Sequence, residues 1–237
     1  MVTGGAGGIG AATCRMLCDA GAKVAVSDLD GAAAETVARE CGPTALPVAI
    51  DVTDASSIAS GLSEIIDQLG RPTILVNNAF TNTVGEFLEV SNEANRLTLQ
   101  VILEGTMSMA RAVLEDMLTG GRGSIISIIS DAGLIGEPNM VAYSAAKAGV
   151  VGFTRALAKE VGPQGIRVNG VSPGGTRTAG SMEAMARQGI DEAKLARRYP
   201  LRRLGEPEDI AGTVVWLASP LASWITGQII SVNGGYA

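Results

Sequence analysis

Residues 3–10, Thr3-Gly4-Gly5-Ala6-Gly7-Gly8-Ile9-Gly10, constrain this chain more than any other stretch. A helical pattern continues from Ala11 to Ala20 and stops at Gly21. Ala22-Lys23-Val24-Ala25-Val26-Ser27-Asp28 then reads as a buried strand ending on an acid. Glycine turn, helix, strand and acid follow the order of a dinucleotide-binding βαβ unit. Glycines let the backbone approach a pyrophosphate, which then sits on a helix N-terminus. Asp28 falls near the distance expected of an acid that accepts from ribose hydroxyls, although a strand-end acid also serves as a helix cap.

The same acid bears on cofactor choice. A carboxylate there repels a 2′-phosphate, and neither Leu29 nor Ala6 offers a cation to neutralise one, so NAD is expected over NADP. Only Met1 and Val2 precede the turn. Either the true start lies upstream or the first central strand is unusually short. A central parallel strand is buried on both faces, so a short one should cost stability.

Further along, strands and helices alternate. Helices are expected at Gly31–Cys41 and Ala55–Leu69, in one piece from Ser91 to about Leu118, at Val141–Gly162, and from Glu206 to Ala218. Strands are expected at Thr44–Ile50, Thr73–Val76, Gly123–Ser130, Gly165–Val171 and Gln228–Val232. Alternation of this kind predicts an α/β fold: a doubly wound, Rossmann-like parallel sheet in three layers, as one domain spanning 1–237. Asp51 ends a strand and either reaches an adenine amino group or caps a helix, while Asp54 caps the helix from Ala55. Asn77-Asn78-Ala79-Phe80 ends the next strand, where small polar residues suit a ligand crevice; the Asn77 amide could equally tie strands together. The long segment from Ala179 to Arg203 lacks strand character and suggests a lid over the substrate.

Composition removes several alternatives. A net charge of -6 argues against a nucleic-acid surface, which needs a basic stripe. The chain has no histidine, so Ser-His and Cys-His triads and histidine-ligated metals are excluded. Cys14 and Cys18 share a helix face, but without further ligands they read, with Cys41, as small apolar core residues, and no metal is expected. No stretch resembles a membrane span or a signal peptide, which makes a cytoplasmic location the expectation.

Tyr143-Ser144-Ala145-Ala146-Lys147 carries the chemistry. Tyrosine and lysine four apart project from one helix face. A phenol titrates near ~10, and a neighbouring ammonium lowers that value toward the range of a working acid/base. The pair alone is common on solvated helix faces; its context gives it meaning. Ser130 ends a strand thirteen residues earlier, at the edge where α/β sheets build their sites.

Together these residues resemble the short-chain dehydrogenase/reductase family, NAD-dependent type. The likeness rests on Thr3-Gly4…Gly8-Ile9-Gly10, Asp51-Val52, Asn77-Asn78-Ala79, Ser130, Tyr143…Lys147, Pro173-Gly174…Thr178 and the tail Ile225-Thr226-Gly227-Gln228…Gly234-Gly235. It implies an oxidoreductase that moves hydride between NAD and a secondary alcohol or ketone. Ser130 would steady the substrate oxygen, Tyr143 would exchange its proton, and Lys147 would lower the tyrosine pKa and hold the nicotinamide ribose. Gly4, Gly8, Ile9, Gly10, Asp28, Leu29, Asp51, Val52, Asn78, Ala79, Tyr143, Lys147, Pro173, Gly174, Thr176 and Thr178 would bind the cofactor. A homotetramer is the family expectation.

Two departures stand out. Phe80 replaces the usual glycine after Asn-Asn-Ala. Ile102, three residues before Gly105, stands where the family carries an asparagine, and isoleucine relays no proton. A 3-oxoacyl-thioester (acyl-carrier-protein type) reductase is the alternative activity; Arg197, Arg198, Arg202 and Arg203 would greet its carrier, unless they form a solvated face. A non-catalytic nucleotide-binding sensor or scaffold is the alternative of another class. Leu134, Ile135, Met140, Met182 and Met185 suggest a small apolar substrate, although Met182 and Met185 equally suit a packed surface helix.

Overall fold

The computed structural model describes residues 1–237. Hydrophobic runs too short for helices become strands, and each strand sends alternate side chains to opposite faces. In β2 (Val24–Asp28), Val24 and Val26 enter one core and Ala25 the other. The same alternation sends Leu75 of β4 (Ile74–Asn77) and Ile125 of β5 (Gly123–Ile128) to one side, and Val76 and Ile126 to the other. Both faces are therefore covered, as a parallel sheet requires.

The sheet has seven strands in the order β3-β2-β1-β4-β5-β6-β7, all pairings parallel, with β1 at Val2–Thr3, β3 at Ala45–Ala49, β6 at Ile166–Pro173 and β7 at Ile229–Val232. Helices α1 (Gly8–Asp19), α2 (Gly31–Cys41) and α10 (Pro207–Ala218) cover one face. Helices α3 (Ala55–Leu69), α5 (Gly105–Gly120) and α7 (Val141–Val161) cover the other. This is the Rossmann-like architecture expected. The strand order reverses between β1 and β4, and crevices open at such switch points.

Within this sequence the first strand comprises Val2–Thr3. Val2 is fully buried between Val26 and Val76. Side-chain bonds extend the pairing: Thr3 Oγ1 accepts from Asn78 N (3.0 Å) and Ala79 N (3.2 Å), and Asn78 Nδ2 donates to Gly4 O (2.8 Å) and Thr3 O (3.2 Å). These bonds do the tying work expected of Asn77, whose amide is buried without a partner.

The long helix expected from Ser91 is interrupted: α4 (Asn92–Leu99) passes into a π-helical turn, Gln100–Glu104, before α5. Asp131-Ala132-Gly133 opens a short helix, α6 (Asp131–Ile135), capped by Ser130. The segment after β6, without strand as expected, forms two helices, α8 (Ala179–Gln188) and α9 (Glu192–Ala196). No helix is long and apolar enough to cross a membrane.

Candidate active site

A cleft of about 760 Å³ opens at the switch point, along the C-terminal edge of the sheet. Its volume lies within the range of small-molecule and cofactor sites. Gly4, Gly8 and Ile9 line one wall, with Asp28 and Leu29 beyond β2 and Asp51 and Val52 beyond β3. Asn78, Ala79 and Phe80 follow β4, and Ser130, Tyr143 and Lys147 lie at the opposite end. Pro173, Gly174, Thr176 and Thr178 close the cleft from the turn after β6.

The glycine turn is built to tight tolerances. Gly4 holds φ at +60°, a left-handed conformation that favours glycine. Gly10 is the one predicted cofactor residue that does not line the cleft. A Cβ there would lie 2.1 Å from Gly4 O, so its glycine lets α1 pack against the turn. A Cβ on Gly8 would lie 2.6 Å from Thr178 Cγ2, which shows how nearly the two walls touch. Asp28 Oδ2 accepts from Ala6 N at 3.0 Å, so the acid is fixed against the turn. Leu29 beside it is 74% exposed. A glycine cradle at a helix N-terminus, with an acid held next to it, fits a dinucleotide.

Asp51 serves both the cleft and its own loop: Oδ1 accepts from Thr53 N (2.8 Å) and Thr53 Oγ1 (2.7 Å). Asp54 caps α3 through Ser56 N, as expected. Thr178 caps α8, accepting from Ser181 N at 3.1 Å, and Thr176 Oγ1 donates to Gly174 O at 3.0 Å.

At the far end, Ser130 Oγ accepts from Ala132 N at 3.2 Å, and its hydroxyl favours ionisation of the neighbouring Tyr143 phenol. Lys147 is buried, its Nζ donates to Ile128 O at 2.6 Å, and it lies 5.6 Å from the centre of the Tyr143 ring. Burial lowers its pKa to about 7. Burial also raises the Tyr143 phenol, and only the Ser130 hydroxyl opposes that rise. The expected lowering of the phenol by Lys147 is thus not seen: desolvation disfavours both charged forms, and the ammonium is turned to a carbonyl. Two hydroxyls beside an amine that titrates near neutrality can still grip a substrate oxygen and exchange its proton.

Ile102 is 1% exposed, packed with Ile129, Ala146 and Val150, with Tyr143 against the same cluster. Hydrocarbon fills the place of the family's asparagine, in the middle of the π turn. Met182 and Met185 do not line the cleft; Met185 packs with Tyr199 and Leu204 in a small core of its own, Met182 against it. Leu134, Ile135 and Met140 also lie outside. The apolar lining comes instead from Phe80, Leu97, Val101 and Ile129.

Asp131 escaped the sequence reading. It is 5% exposed, and its Oδ1 accepts from Ser172 Oγ (3.2 Å) and Asn233 Nδ2 (3.1 Å), while Oδ2 has no partner. Burial raises its pKa and the two bonds oppose this. Its partners are 41 and 102 residues away, so no local pattern marks it. Tyr199 was also missed; its hydroxyl accepts from Gly175 N at 2.8 Å and steadies the turn after β6. No group of three or more ligating side chains could hold a metal ion.

Residues 4–237 match the family model described as enoyl-(acyl carrier protein) reductase. The chain is 42% identical over 219 residues to the inactive 2-(S)-hydroxypropyl-CoM dehydrogenase 2 of Xanthobacter autotrophicus, covering 91% of this chain and 95% of that one. It is 38% identical over 242 residues to the cis-4-hydroxycyclohexanecarboxylate dehydrogenase of Sinomonas cyclohexanicum, covering 100% of this chain and 95% of the relative. Among solved structures, gox2181 superposes with a TM-score of 0.94 at 34% identity, over 99% of this chain and 93% of that one. The chain belongs to the short-chain dehydrogenase/reductase family, oxidoreductases that act on CH–OH and C=O groups with a nicotinamide cofactor.

Proposed function

We propose that this short-chain dehydrogenase/reductase is an NAD-dependent dehydrogenase of secondary alcohols, which also runs the reverse reduction of ketones. The observation that supports this most is the meeting of Ser130, Tyr143 and Lys147 at one end of a cleft whose other end carries Asp28. The cofactor, when bound, supplies hydride transfer. In oxidation Tyr143 takes the proton of the substrate hydroxyl while Ser130 holds the oxygen. In reduction Tyr143 returns that proton. Burial makes the phenol a reluctant acid, so its ionisation depends on positive charge supplied at the moment of transfer. Lys147, with a pKa of about 7, exchanges protons at little cost near neutrality, and the positive charge would come with the oxidised cofactor when bound.

Gly4, Gly8 and Ile9 receive the pyrophosphate in this reading, with Gly10 shaping their turn. Asp28 and Leu29 take the adenosine ribose, Asp51 and Val52 the adenine. Asn78 and Ala79 form the floor, and Pro173, Gly174, Thr176 and Thr178 take the carboxamide and phosphates. Asp28 supports NAD over NADP, because no lysine or arginine lines that end of the cleft to meet a 2′-phosphate. Residues 179–205 serve as the substrate lid. A homotetramer and a cytoplasmic location complete the proposal.

The 3-oxoacyl-thioester reductase reading is favoured by relatives named 3-oxoacyl-(acyl-carrier-protein) reductase, at 33–38% identity. It is weakened by its own carrier candidates, since Arg198, Arg202 and Arg203 are engaged within the chain. The non-catalytic reading has Ile102 in its favour and the intact Ser130, Tyr143 and Lys147 against it. Replacing Tyr143 with Phe tests the mechanism. Turnover should fall by about 10²–10⁴-fold, with NADH affinity kept. Unchanged turnover would sink the assignment of Tyr143.

A further inference from the structure

Charge at the substrate end of the cleft is sparse. Lys147 is the only lysine or arginine that lines the cleft, and it is buried and spent on the Ile128 carbonyl. The segment from Arg177 to Arg203 holds six arginines, none of which lines the cleft, and five of them are engaged inside the chain. Arg177 matters most, because it sits between the cleft-lining Thr176 and Thr178. Its guanidinium is paired with Glu192, and its Nε lies 3.5 Å from Glu206 Oε1. Arg203 is forked onto Asp209. Arg198 lies over the Tyr236 ring at 5.1 Å, and Arg202 donates to Arg197 O. Arg197, the sixth, does not line the cleft.

An anionic substrate therefore meets no free cation. It either gives up its water without a partner, which is costly, or displaces a carboxylate from Arg177. Phe80, Leu97, Val101 and Ile129 make the surrounding wall apolar. We infer that the site takes uncharged, apolar secondary alcohols and ketones and rejects those bearing a carboxylate, sulfonate or phosphate, with Glu192 and Glu206 holding Arg177 out of use. The inference rests on the dehydrogenase reading above and names its substrate class.

Initial rates with NAD on matched pairs test it: cyclohexanol against cis-4-hydroxycyclohexanecarboxylate, and 2-octanol against 7-hydroxyoctanoate. Wild type should show a kcat/KM at least about tenfold higher for the neutral member of each pair. The double variant Glu192→Gln/Glu206→Gln frees Arg177. It should raise the carboxylate-to-neutral ratio of kcat/KM at least about fivefold, through the carboxylate KM. Equal or better use of the carboxylates by wild type would overturn the inference and leave the dehydrogenase reading standing. An unaltered ratio in the double variant would overturn the role given to Arg177. Failure to oxidise any member of either pair would count against the dehydrogenase reading itself, and the inference would fall with it.

Discussion

The two ends of the cleft are made differently. At the end that carries Asp28, backbone does the work: Gly4 at positive φ, Gly10 against Gly4 O, and Asp28 bonded to Ala6 N. Thr3 and Asn78 lace that turn to β4 with four hydrogen bonds. At the end that carries Ser130, Tyr143 and Lys147, side chains do the work: Phe80 is 63% exposed, and the helices after β6 are tied to the turn by surface ion pairs such as Arg177 with Glu192. Exposed pairs of this kind contribute little stability. One end is thus a fixed receptor for a constant ligand. The other is a soft surface that sequence change can re-aim without harming the fold.

Substitutions can break or sharpen this contrast. Asp28→Arg removes the carboxylate and its bond to Ala6, and supplies the cation that a 2′-phosphate needs. It should cost NADH at least about a hundredfold in affinity and improve NADPH, as read by cofactor fluorescence. Gly10→Ala forces a methyl against a backbone oxygen. Overpacking of that order costs about 1–3 kcal/mol, and NADH affinity should fall with the melting temperature. An unaffected variant would show that the turn is softer than its contacts imply.

Lys147 offers a test by pH. Its folded pKa of about 7 lies below the ordinary lysine value, so the unfolded chain binds more protons between about 7 and 10.5. Its contribution to stability is therefore fully present above about 10.5 and is lost as pH falls toward about 7. The slope should reach at most about 1.4 kcal/mol per pH unit. Denaturation curves of Lys147→Met, compared with wild type across that window, should lack this component. Identical slopes would mean that the ammonium is not desolvated.

The smallest effect belongs to the soft end. Phe80→Ala should leave NADH affinity and stability within about 0.5 kcal/mol, as for other exposed positions, yet change KM for bulky alcohols. A large loss of cofactor affinity would erase the distinction between the two ends.

The same contrast explains what could be read from sequence. The Gly4–Gly10 turn, α1, β2 and Asp28 were legible because each geometric demand falls on one residue type at one place. Tyr143 and Lys147 were legible by helical spacing. The π turn at Gln100–Glu104 was not, since one extra residue in a turn leaves the apolar pattern on either side intact. Asp131 was hidden because its partners come from β6 and the C-terminal segment. Of the two readings open for Met182 and Met185, the packed helix holds, because a helix with one buried face can turn it to a private core, here built on Tyr199 and Leu204. The raised phenol was missed because spacing gives the distance of a charge but not its desolvation.

Titration of the purified protein with NADH and NADPH, followed by fluorescence, tests the central claim most directly. The account predicts that NADH binds at least about tenfold more tightly, because Asp28 meets a 2′-hydroxyl but repels a 2′-phosphate. Equal or tighter binding of NADPH would contradict it, and would bring the acyl-thioester reductase reading forward.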